Sequence, residues 1–163
     1  MEELKITLQN SQDIKRFYIY TTDGEKTGEY LDFDLEDIEL LDRLDRVYES
    51  IIKNHQWFKN QIVIIDKKQD FKKKNKFMSN NEKLKYEATK EYFKNQRKAY
   101  DLFLGENGVD KLLYGRPFEI NTLREIDKII TEQIYPQLKL SMKNITEKIK
   151  KDYKNQKDSD VLE

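Results

Sequence analysis

Between residues 4 and 33 apolar and polar positions trade places. Leu4, Ile6 and Leu8 are separated by single polar residues, the period of a half-buried strand. Phe17-Tyr18-Ile19-Tyr20 carries the aromatic and β-branched side chains that a pleated surface favours. Asp23-Gly24 supplies a turn, with glycine free to take a positive φ, and Glu29-Tyr30-Leu31-Asp32-Phe33 alternates again. The pattern predicts a small N-terminal antiparallel β-sheet of about three strands over residues 1–33.

From Asp34 the period lengthens. Ile38, Leu41, Leu44, Tyr48, Ile51, His55, Phe58, Ile62 and Ile65 recur every three or four positions and share one helical face. Asp34 is placed to cap this helix, and Glu36, Asp37 and Glu39 suit its positive end. The run Ile62-Val63-Ile64-Ile65 is β-branched and also compatible with a strand; the helical reading is kept. Residues 67–80 hold six lysines between Lys67 and Lys76, too many like charges to pack, and read as a mobile loop. Residues 81–104 lack Gly and Pro and read as a second long helix, with Leu84, Ala88, Tyr92, Ala99 and Phe103 on one face. Gly105 ends it, and residues 109–114 make one short turn before Gly115-Arg116-Pro117.

Thr122 and Glu125 have capping-box spacing at the head of the last helical stretch. Leu123, Ile126, Ile130, Ile134, Leu138, Met142, Ile145, Ile149 and Tyr153 keep one phase through Pro136, where a kink or two abutting helices are expected. Residues 154–163 are polar and read as a frayed tail. The fold class is thus α+β, a small sheet followed by a mostly α-helical bundle of long helices. No boundary divides residues 1–163, so one domain is expected, with residues 34–153 as its helical portion.

Composition removes several chemistries. The chain has no cysteine and one histidine, His55, so thiol catalysis, disulfides, zinc fingers and most multi-histidine metal sites are excluded. No apolar run approaches the roughly 18 residues of a membrane span, and Met1-Glu2-Glu3-Leu4-Lys5 does not open a secretory signal. The 31 basic and 31 acidic side chains cancel, but residues 1–50 carry a net charge of −8 and residues 51–100 one of +9. Attraction between halves of one fold is the simpler reading; a head-to-tail contact between copies is the other.

Candidate motifs fail on inspection. Lys26-Thr27 follows Glu25, and Tyr20 occupies the place of the first glycine of a phosphate loop, so Gly24 and Gly28 read as hairpin glycines. Asp32, Asp34 and Glu36 open like a calcium loop, but Asp37 and Arg43 stand where glycine and glutamate are required. His55, beside Trp57 and Phe58, reads as a partly buried packing residue. The basic loop with Phe71 and Phe77 suits a nucleic-acid backbone, yet the zero net charge and acidic first third argue for a solvated loop.

Three stretches carry a resemblance. Phe33-Asp34-Leu35-Glu36-Asp37 follows the sheet. Tyr100-Asp101-Leu102-Phe103-Leu104-Gly105-Glu106-Asn107-Gly108 leads into Tyr114-Gly115-Arg116. Glu132-Gln133-Ile134-Tyr135-Pro136 runs on to Lys148-Ile149-Lys150-Lys151-Asp152-Tyr153. Their order resembles the tail assembly chaperone-like proteins of siphophages and prophages in low-GC Gram-positive bacteria. The resemblance spans about residues 17–153 and rests on caps and turns; the lysine loop is not part of it.

The resemblance implies a non-enzymatic bacteriophage protein of the host cytoplasm, without cofactor or metal. Such a protein binds the tape-measure protein and keeps it soluble while tail-tube subunits polymerise during virion assembly. The major tail protein is a further implied partner, and self-association is compatible with the charge asymmetry; nucleic acid and membrane are not expected partners. The alternative is a small phage-encoded inhibitor or adaptor that binds a host protein or nucleic acid through its charged faces.

Overall fold

The computed structural model describes Glu3, Lys5, Ile6, Leu8 and residues 13–162, with side chains as far as Lys157. Strands β1 (Ile14–Tyr20) and β2 (Lys26–Asp34) pair antiparallel, with Ile14 opposite Asp34 and Tyr18 opposite Tyr30. The Asp23-Gly24 turn forms as the sequence predicts; Thr21 N–H donates to the Glu25 carbonyl at 2.8 Å and Gly24 has φ 82°. The pairing slips between Tyr18 and Tyr20, where Gly28 at φ 83° lets β2 bulge and the Thr27 hydroxyl donates to the Ile19 carbonyl at 2.9 Å. One face buries Ile19, Leu31 and Phe33. The other carries the Arg16–Asp32 pair at 2.8 Å, with the guanidinium stacked 3.7 Å over the Tyr30 ring.

The strand expected at residues 4–8 is corrected. Leu4 lies outside the described residues, and Ile6 and Leu8 are exposed and belong to no strand, so the described sheet has two strands rather than three. Alternation specifies a strand only where a neighbouring edge takes up its backbone hydrogen bonds, and β1 pairs with β2 alone.

Five α-helices follow: α1 (Leu40–Asp66), α2 (Asn80–Leu104), α3 (Gly108–Leu113), α4 (Ile120–Ile129) and α5 (Tyr135–Leu162). A π-helical segment, Ile130–Ile134, joins the last two. Helix α1 starts six residues after Asp34, which closes β2 instead of capping. Asp34 and Asp37 each accept a backbone N–H two residues on, from Glu36 at 2.9 Å and Glu39 at 3.0 Å. These local bonds hold the chain in turns and delay the helix. The stretch 62–65 is helical, as expected.

At the head of α4 the capping box forms one turn earlier than the sequence suggests. Glu119 accepts from Thr122 N–H at 3.2 Å, and the Thr122 hydroxyl accepts from Glu119 N–H at 2.9 Å. Glu125 pairs instead with Arg116 at 3.0 Å. Around Pro136 the break takes the form of the π turn. Proline has no N–H for the preceding ladder, and Tyr135 N–H reaches back five residues to the Ile130 carbonyl. The helix then runs on past Tyr153 to Leu162.

The core gathers the inner sheet face, the first half of α1 through Ile51, the end of α2 from Ala99, Val109 and Leu113 of α3, and Leu123, Ile126, Ile130, Ile134 and Leu138. Phe33 meets Phe103 with ring centroids 5.1 Å apart, which seats the hairpin on α2. Two elements continue beyond this core. The α1–α2 hairpin extends about 22 Å past Ile51 at 1.5 Å per residue, and α5 extends past Leu138.

Ile130 is fully buried, whereas Ile149, expected on the same packed face, is 62% exposed. Ile130→Asp should therefore lower stability by several kcal/mol, about 3–5, because it buries an unpaired charge. Ile149→Asp and Lys143→Glu should each cost about 0.5 kcal/mol or less. Thermal unfolding of the three variants checks this; equal shifts would mean that the last helix packs on a different face.

Candidate functional site

The polar groups of the interior tie the helices together. Asn54, not His55, is the inward residue at the middle of α1. Its side-chain amide donates to the Tyr92 carbonyl and to Gln96 Oε1, both at 2.9 Å, and Gln96 is fully buried. His55 is exposed and lies 3.0 Å from the Tyr92 hydroxyl through Nδ1. Neither Asn54 nor Gln96 is marked by a motif. Asn54 lies three residues after Ile51, and Gln96 lies between Tyr92 and Ala99 in the apolar phase of α2. The hydroxyls of Tyr48 and Tyr100 both donate to Asp127 Oδ1, the former at 3.4 Å.

Burial and the Asp127 carboxylate push the Tyr48 hydroxyl up to about 12, and Tyr100 is raised by the same causes, burial first. Both remain protonated donors at neutral pH, so this cluster fastens α4 to the α1–α2 hairpin.

The motif fragments stay apart from any assembled site. Gly24 and Gly28 serve the turn and the bulge. Asp32 pairs with Arg16, which holds its carboxyl below the usual range, and Asp34 and Asp37 make turns. Among the described residues no group of three or more His, Asp or Glu side chains could hold a metal ion, and no helix is long and apolar enough to cross a membrane.

The arrangement best suited to a partner is the free length of α5. Its inward stripe follows Ile134 of the π turn, begins in the core at Leu138, continues through half-buried Met142 and Ile145, and ends at exposed Ile149 and Tyr153. The spacing of four, three and four residues from Leu138 to Ile149 is that of a coiled-coil seam. Seven lysines and two acids, Glu147 and Asp152, occupy residues 139–157, a net charge of +5. Beside its root, a cleft of about 330 Å³ opens between β1 and α4, with Phe17, Ile19, Leu31, Ile126 and Ile134 among its walls. The stripe was legible in sequence as an apolar phase; that its far end, Ile149 and Tyr153, is exposed was not.

Asp127→Ala should cost about 2 kcal/mol in denaturant unfolding, because two tyrosine hydroxyls lose their acceptor. An unfolded tyrosine ionises near pH 10, before folded Tyr48 does at about 12. The unfolded state therefore releases its proton first, and stability should fall across this interval. Tyr48→Phe should make that fall shallower, as read from unfolding midpoints at pH 9 to 12. Comparison with protein-family models, with curated proteins and with solved structures finds no match for this chain.

Proposed function

We propose that the chain is a non-enzymatic assembly chaperone that captures an amphipathic helix of a long partner along α5. The observation that carries this reading is the apolar stripe from Met142 to Tyr153, which leaves the core on a rooted helix and passes from half-buried at Met142 and Ile145 to exposed at Ile149 and Tyr153. An isolated helix face of this kind takes a second apolar helix in the helix-in-groove manner. The net charge of +5 along residues 139–157 favours a partner with acidic residues beside its apolar positions. The resemblance to tail assembly chaperone-like proteins supplies the partner: the tape-measure protein, kept soluble in the host cytoplasm while tail-tube subunits polymerise. The major tail protein is a further partner under this reading. The second reading, a small inhibitor or adaptor that acts through charged faces, draws on the basic loop of residues 67–80.

Co-expression with overlapping fragments of the tape-measure protein separates the two. At least one fragment should become soluble and co-purify. The complex should survive about 0.5 M salt, where the Debye length is only a few ångströms. Its formation should show a negative heat-capacity change, since apolar surface is buried. Ile149→Asp with Tyr153→Asp, both at exposed positions, should abolish capture while the unfolding temperature stays nearly unchanged. Fragments that remain insoluble, or capture indifferent to the double variant, would move the assignment to the adaptor class.

A further inference from the structure

The tip of the α1–α2 hairpin is a built loop. Asp70 Oδ1 accepts from Phe71 N–H at 2.8 Å and from Asn81 N–H at 3.0 Å. These bonds, that to Asn81 first, hold the Asp70 carboxyl below the usual range. Asn81 Nδ2 donates to the carbonyls of Lys68 at 2.9 Å and Ile65 at 3.2 Å, and Asn80 N–H donates to the Phe71 carbonyl at 2.8 Å. Ser79 and Glu82 close a full capping box at the start of α2. The segment that reads as mobile in sequence is thus stitched at both ends.

Between these stitched ends the loop presents what a protein interior would normally absorb. Phe77 is 99% exposed, and Phe71 and Met78 are exposed beside it. The three side chains line a pocket of about 350 Å³ with Lys73, Lys76, Lys83, Ser79 and Asn80. Among the described residues no carboxylate pairs with Lys72, Lys73, Lys74 or Lys76. The loop therefore combines unneutralised cations, two available aromatic faces and a concave floor.

We propose that this tip binds single-stranded nucleic acid, with a base stacked on Phe77 or Phe71 and adjacent phosphates on Lys73 and Lys76. Stacking on an aromatic face is sequence-tolerant, because every base has a π-face, and lysine ammonium groups follow the backbone by charge. A single strand fits better than a duplex, whose bases are already stacked on one another. It also fits better than an anionic membrane, because polar Ser79 and Asn80 lie beside the aromatics, where a membrane-inserting face would be apolar throughout. This site is separate from the α5 stripe and does not depend on the chaperone reading.

Fluorescence anisotropy of a labelled oligothymidylate of about 12 nucleotides tests it, with the full chain as titrant. If about three phosphates are neutralised, the log–log salt slope should be near −2, a loss of roughly 15-fold in affinity between about 50 and about 200 mM salt. Phe77→Ala should weaken binding about tenfold while leaving the slope in place. Lys73→Gln with Lys76→Gln should flatten the slope by about 1.4. Far-UV circular dichroism should be unchanged in both, since all three side chains are exposed. No anisotropy change at about 50 mM salt, or binding indifferent to both sets of substitutions, would overturn the proposal. So would cosedimentation with phosphatidylglycerol vesicles in the absence of oligonucleotide binding, which would assign the tip to a membrane surface.

Discussion

The convergence of Tyr48 and Tyr100 on Asp127 fixes the geometry on which the rest depends. Two hydroxyls, one from each arm of the α1–α2 hairpin, meet one carboxylate on α4. A hydrogen bond to a charged group is stronger than a neutral one, and leaving such a group unpaired in the interior is costly. Helix α4 therefore has one preferred rotation on the hairpin. That rotation turns Leu123, Ile126 and Ile130 inward, and the π turn that follows carries the same phase through to Ile134 and Leu138. The direction of α5 is inherited from this lock.

The interplay of local and tertiary forces explains which elements were legible in the sequence. Long apolar phases were readable: α2 and the inward positions of α4 fall where periodicity places them, and α3 falls between the glycines that bound it. Starts of helices were less so. Asp34 and Thr122 are both good cap residues, but the Asp34 carboxylate accepts from Glu36 N–H in a turn, and Thr122 N–H donates to the Glu119 side chain, so each boundary moved. The Leu4–Leu8 alternation had the right period and no edge to join among the described residues. The stripe of the last helix kept its phase to Tyr153, yet periodicity records a face, not whether anything covers it. Gln96, Asn54 and Asn81 were missed for the opposite reason: each interrupts an apolar pattern, and only the opposing helix shows what it bonds to.

The charge asymmetry takes a form that neither half-to-half attraction nor simple solvation describes. Among the described residues no ion pair joins residues 1–50 to residues 51–100. The pairs lie within residues 1–50, as in Arg43 with Asp37, within the α1–α2 hairpin, as in Lys85 with Asp66 at 2.5 Å, or beyond residue 96, as in Arg97 with Asp110. Exposed pairs of this kind contribute little to stability. The acids at the start of α1 and the lysines of the hairpin tip are instead held apart by the length of α1.

That separation matters more than the net charge of zero. Asp45, near the start of α1, and Asp66, at its end, are 21 residues apart, about 30 Å at 1.5 Å per residue. The Debye length at physiological salt is about 8 Å, so an anion at the hairpin tip is screened from the acidic base of the same helix. It meets the local charges of the tip, six lysines from Lys67 to Lys76 against Asp70 within that run. Chain-wide neutrality, which in the sequence weighed against a basic surface, is an average over regions that do not interact at this ionic strength. A rigid two-helix stalk, stitched at its middle by Asn54 and Gln96 and at its tip by Asn81, is the structural means by which one small neutral chain keeps a strongly basic end.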